Sequence, residues 1–177
     1  FLDAGENPPD GVIVTYHLQE PSEPGAASTF VDGEGATIRR IEIDGKPGMN
    51  RLVWDMRHEG AREAPGDDDA KEIAGPGLDG PLAIPGTYTV RLDAGGESQT
   101  QSFRILADPR ARGTDEEFTE QLSLQLLIRD KLSETHDSIN SLRRVRRQVL
   151  EWQGRGKGAG EMLAESGDAI VGKLGAI

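Results

Sequence analysis

The sequence predicts a mainly β chain with α added: an antiparallel β-sandwich followed by a helical hairpin. Three observations carry this. Six segments before Ala107 alternate apolar and polar residues, with no helical run between them. Gly, Pro and Asp clusters separate those segments, in a chain holding 23 glycines and 10 prolines. After Thr114 the apolar period changes from that of a strand to that of a helix.

The strands are read in order. GVIVTYHL (Gly11–Leu18) is rich in β-branched residues, and STFVD (Ser28–Asp32) is a short second run. ATIRRIEI (Ala36–Ile43) carries Ile38, Ile41 and Ile43. NRLVWDM (Asn50–Met56) places Leu52, Trp54 and Met56 on one face. GTYTVRL (Gly86–Leu92) does the same with Tyr88, Val90 and Leu92, and SQTQSFRIL (Ser98–Leu106) with Phe103 and Ile105. DAGGES (Asp93–Ser98) and DGEG (Asp32–Gly35) are turns, and Pro85 is expected to let Gly86 take positive φ before its strand. Between Arg57 and Ala83 nothing alternates, and loops of that length are functional, disordered or packed over a neighbouring surface.

The helix begins at a capping box, with Thr114 as N-cap and Glu117 three residues on, among acids that suit the positive end of the helix dipole. Phe118, Leu122, Leu126, Leu132, Ile139, Leu142, Val145, Val149 and Trp152 form one stripe, ending near Gln153. GRGKGAG (Gly154–Gly160) is expected to break the helix, and a second one over about Glu161–Leu174 completes a hairpin. The chain thus divides into a sandwich over 1–113, with an inserted loop at 57–83, and a hairpin over 114–177. Phe1 at the start and the apolar AIVGKLGAI at the end both read as cut, so a longer parent protein is expected, with the hairpin truncated.

Composition narrows the partners. The net charge is −11, with 20 acids against 11 bases over residues 1–113, which disfavours nucleic acid phosphates and anionic lipid. The absence of cysteine removes disulfides, thiolate nucleophiles and Cys-based zinc sites. No apolar run is long enough to span a membrane, and no signal-peptide pattern is seen.

Candidate sites are few. Trp54 beside Asp55 could form a sugar platform with a catalytic acid, but glycoside hydrolysis needs two opposed carboxylates and no partner is identifiable. Alternation sends Trp54 to the core and leaves Asp55 to close a turn or pair with an arginine. Asp67, Asp68 and Asp69 lack the spaced oxygens of a calcium loop and read as a solvated loop. His17, His58 and His136 share no metal-ligand spacing. The cluster Arg143–Arg147 reads as an exposed helix face that pairs with the acidic β region or with a partner protein. Neither a GxSxG elbow nor a phosphate loop occurs. No catalytic residue, cofactor or metal is therefore assigned.

These residues carry a resemblance. GMNRLVWDMR followed by IPGTYTVRL is similar to the immunoglobulin-like domain of flagellar hook-capping proteins and its relatives, through Gly48, Asn50, Trp54, Asp55, Pro85, Gly86 and Tyr88. There the intervening loop is short, which makes Arg57–Ala83 an insertion. ENPPDGVIVTYHL, WDMR, PGTYTVRL, ADPR and IRDKLSETHDSIN together resemble the C-terminal region of bacterial proteins with sortilin-type or Asp-box β-propellers, over most of residues 6–150. The resemblance implies a non-catalytic accessory module of an exported (periplasmic, secreted or cell-surface) propeller protein. Such a module packs against the propeller or a partner protein, and its helices could also support a homo-oligomer. The alternatives are a carbohydrate-binding module, which needs exposed aromatics, and a glycosidase. On the residues, Leu52, Trp54, Tyr88, Val90 and Phe103 are expected to build the core.

Overall fold

A computed structural model describes residues 5, 7–22, 26–64, 79–110, 112–155, 167–169 and 172–173. Six strands precede one long helix: β1 (Val12–Leu18), β2 (Ala27–Val31), β3 (Thr37–Glu42), β4 (Gly48–Trp54), β5 (Gly86–Ala94), β6 (Glu97–Ile105) and α1 (Asp115–Arg155). Two compact units result, Phe1–Gly60 with Asp79–Ile128 and Ala61–Leu78 with Arg129–Ile177.

The first unit holds two antiparallel sheets in a sandwich-like arrangement. β1 pairs β4, and β3, β2, β5 and β6 form the other sheet in that order. The β1–β4 register sets Val12 against Trp54 and Val14 against Leu52, so one face of the pair is apolar. That face meets Phe30, Ile38, Tyr88 and Val90 from the larger sheet. The rings of Phe30 and Trp54 stack with centroids 4.4 Å apart, and Phe103 meets Trp54 edge-on at 6.3 Å. Each such pair contributes roughly 0.5–1.5 kcal/mol beyond its buried area. Of the expected core, Trp54, Tyr88 and Val90 are buried, with Leu52 and Phe103 partly buried against them.

β2 lies between β3 and β5 and is buried on both faces from Ala27 to Phe30. A strand so placed takes small or apolar residues on each side, as this one does. The β5–β6 connection is the two-residue turn Gly95–Gly96, with φ of 60° and 81°. Both angles lie in the left-handed region that glycine occupies without a Cβ penalty. Asp32 organises the β2–β3 turn by accepting from the amides of Glu34 (3.0 Å) and Ala36 (2.8 Å).

Two expectations change. β4 ends at Trp54, and Met56 leaves the strand with φ of 59° while still packing against the core. Gly86 is not among the positive-φ glycines, because Pro85–Gly86 runs directly into the extended β5. The ends of the Arg57–Ala83 loop are paired: Arg57 bridges Leu82, His58 N–H donates to the Pro81 carbonyl at 2.8 Å, and Ala83 N–H to Met56 at 2.7 Å. Gly80 permits this approach, since a Cβ there would meet the His58 carbonyl. α1 ends at Arg155, within two residues of the expected end near Gln153, and residues 156–160 of the expected break lie outside the described residues. The second helix of the expected hairpin lies mostly outside the described residues, which show helix at 167–169 and 172–173.

The start of α1 is as read. Thr114 N–H donates to Glu117 Oε2 at 2.9 Å, and Glu117 N–H to Thr114 Oγ1 at 3.2 Å. This reciprocal pair satisfies two amides that the first turn otherwise leaves open.

Candidate functional site

The aromatic–acid pair is structural. Trp54 is fully buried, and its indole N–H donates to the Arg57 carbonyl at 2.9 Å. Asp55 is exposed and closes the turn beneath it, its Oδ1 accepting from Arg57 N–H at 3.1 Å. Tyr88 makes a similar anchor, donating its hydroxyl to the Ile84 carbonyl at 2.7 Å. Burial, and then the charge of Asp32, raises the Tyr88 phenol above its ordinary pKa. His17 is exposed on β1. Among the described residues no group of three or more His, Asp or Glu side chains could hold a metal ion. Asp67, Asp68 and Asp69 lie outside the described residues. Arg144, Arg146 and Arg147 are exposed on α1, and Arg143 is half-buried.

The second unit contains the densest polar constellation. Arg129, Ser133, His136, Asp137 and Asn140 follow one another at helical spacing, so they share one side of α1. Four of them, Ser133, His136, Asp137 and Asn140, bond to a strap at residues 61–63. Arg62 N–H donates to Ser133 Oγ at 3.1 Å, and that hydroxyl donates onward to the Arg129 carbonyl at 2.9 Å. His136 Nδ1 lies 2.5 Å from the Arg62 carbonyl. A carbonyl only accepts, so Nδ1 carries the hydrogen. The Arg62 guanidinium reaches Asp137 Oδ2 through Nη2 at 2.6 Å and Nε at 3.1 Å. Asn140 Nδ2 donates to the Glu63 carbonyl at 3.4 Å.

Burial ranks these contacts. Ser133 and His136 are 4% and 6% exposed, so their bonds to the strap are shielded from water. An unmade bond there leaves a desolvated polar group, at a cost of about 1–3 kcal/mol. The Arg62–Asp137 pair is largely exposed, and water and salt screen it. Its hydrogen bonds hold the Asp137 carboxyl below the ordinary carboxylate range and raise the Arg62 guanidinium above its own. Beside the strap runs an open groove of about 550 Å³ lined by Arg62, Glu134, Asp137, Ser138, Ser141, Leu142 and Val145.

Ser133, His136 and Asp137 have the composition of a hydrolytic triad but not its wiring. Nucleophilic catalysis needs the hydroxyl on the imidazole and the imidazole on the carboxylate. Here the hydroxyl serves the Arg129 carbonyl, the imidazole Nδ1 serves the Arg62 carbonyl, and the carboxylate serves the guanidinium. The arrangement grips an arginine-bearing segment by its amide, its carbonyl and its side chain. Sequence reasoning drew the helix stripe through Leu132 and Ile139, which are half-buried, whereas Ser133 and His136 are the buried positions. The available signal was Ser133, His136 and Asn140, spaced three and four apart beside that stripe.

No family model, curated protein or solved structure matches this chain.

Proposed function

We propose that this chain is a non-catalytic accessory and interaction module. Its immunoglobulin-like sandwich and helical hairpin belong to a larger exported propeller protein, and α1 packs against the propeller or a partner protein. The observation that carries the reading is an apolar patch on α1. Leu124, Leu127 and Ile128 are 58%, 56% and 59% exposed on adjacent turns of that helix. Contiguous exposed apolar side chains of this kind mark interaction surfaces. The test is titration calorimetry between this chain and the separately expressed remainder of its parent polypeptide. Leu127→Glu with Ile128→Glu should weaken association at least tenfold while leaving the circular dichroism spectrum unchanged. Undiminished binding by the double variant, or hydrolysis of glycosides by the chain alone, overturns the reading.

A carbohydrate-binding module is the second reading, favoured by one residue. Trp152 is 74% exposed, and among the described aromatic side chains it alone is solvent-facing. Glycan-array binding that Trp152→Ala abolishes would decide for it.

A further inference from the structure

β6 is an outer strand: β5 lies on one side, and no described strand lies on the other. It pairs with β5 in continuous register from Glu97 to Ile105, so it is long and unbroken. Glu97–Ser102 are all exposed, although Gln99 and Gln101 lie on the same strand face as Phe103, which packs against the core. Edge strands are commonly blunted by lysine, proline, a bulge or shortness. The segment Ser98–Phe103 carries no charge and no proline, and no bulge interrupts it.

The same segment has an internal symmetry. Ser98-Gln99-Thr100-Gln101-Ser102 reads identically in both directions. Two identical antiparallel strands are related by a two-fold axis. Centred on Thr100, that axis sets Ser98 against Ser102, Gln99 against Gln101 and Thr100 against itself. Every opposed pair is polar and hydrogen-bonding, and none places like charges together. At the ends of the seam Glu97 stands opposite Phe103 and Arg104 opposite Gly96, so no charged side chain directly faces another. The seam is thus free of opposed like charges, in a chain whose net charge of −11 opposes self-association elsewhere.

We propose that β6 is a homodimerisation edge, through which two copies of this chain pair antiparallel about Thr100 into one eight-stranded sheet. The strand edge supplies main-chain hydrogen bonds, and the palindrome supplies the register. The surface is separate from the apolar patch on α1, and its test is independent of that reading.

Sedimentation velocity over a concentration series tests it. The wild-type chain should move from 19.1 kDa towards twice that mass. Thr100→Lys and Thr100→Glu each place like charges across the axis and should weaken the dimer at least tenfold. An equimolar mixture of the two should restore it. A second pair of variants probes the register, because the chain has no native cysteine. Thr100→Cys should cross-link under mild oxidation and Ser98→Cys should not, since only position 100 meets its own copy. A monomeric wild type overturns the proposal. So do charge variants that dimerise as well as the wild type, or equal cross-linking at positions 98 and 100; the former would place self-association on another surface such as α1.

Discussion

The backbone amide of Arg62 donates to the hydroxyl of Ser133 across 71 positions of sequence, and the same hydroxyl donates to the Arg129 carbonyl. One buried oxygen therefore ties the strap to the helix. Ser133→Ala leaves the Arg62 N–H without its acceptor, a loss of about 1–3 kcal/mol in strap stability. Amide hydrogen exchange at Arg62 should quicken roughly ten- to a hundredfold, while β-strand amides keep their protection. Unchanged exchange at Arg62 would show that the strap is held by other contacts.

Asp137 gives the strap a dependence on acid. Its folded-state pKa is depressed, first by the hydrogen bonds from Arg62. A depressed carboxylate contributes stability that is fully present above the unfolded value of about 3.9 and is lost as pH falls through the folded one. The strap contact should therefore be constant from neutral pH down to about 5 and weaken below the ordinary aspartate pKa. An NMR titration following the Asp137 side-chain carbon and the Arg62 Nε–H should show both moving together below that value, and Asp137→Asn should remove the step from the Arg62 signal. A midpoint for Asp137 at or above the ordinary aspartate value contradicts this.

Trp54 joins the two sheets. Trp54→Ala removes the stack on Phe30, the edge contacts to Tyr88 and Phe103, and the bond to the Arg57 carbonyl. The expected loss is about 3–5 kcal/mol, read as a lowered denaturant midpoint. Trp54→Phe keeps a ring but orphans the Arg57 carbonyl, and its loss should be smaller. A wild-type midpoint in the alanine variant is incompatible with a core role.

The capping box at the head of α1 is a local device with a local readout. Thr114→Ala removes the acceptor for Glu117 N–H. The cost is about 1 kcal/mol, with faster exchange confined to the first turn of the helix. Fraying that reached Leu132 would mean that α1 depends on its cap far more than a tertiary helix should.

Legibility followed the range of the interactions. The strand runs, the Gly95–Gly96 turn and the Thr114–Glu117 box were readable because each is set by residues adjacent or three apart. Trp54 was placed in the core because alternation pairs it with Leu52. Alternation extends the strand to Met56, but Met56 takes left-handed backbone where the loop returns at Ala83, which no local pattern announces. The strap site was missed because Arg62 and His136 are 74 positions apart and neither carries a motif.

Local residue patterns reveal where the chain is β, where it becomes helical and that Trp54 and Tyr88 turn inward, while Trp152, drawn into the same helix stripe, is exposed. Those properties rest on side-chain periodicity and turn chemistry, which are encoded over a few residues. The pairing of β1 with β4 apart from the other four strands, the edge position of β6 and the bonds of Ser133 and His136 to Arg62 come from long-range contacts. Each of these is a choice of partner among distant segments, and its free energy comes from hydrogen bonds and burial that do not exist until the chain has closed on itself.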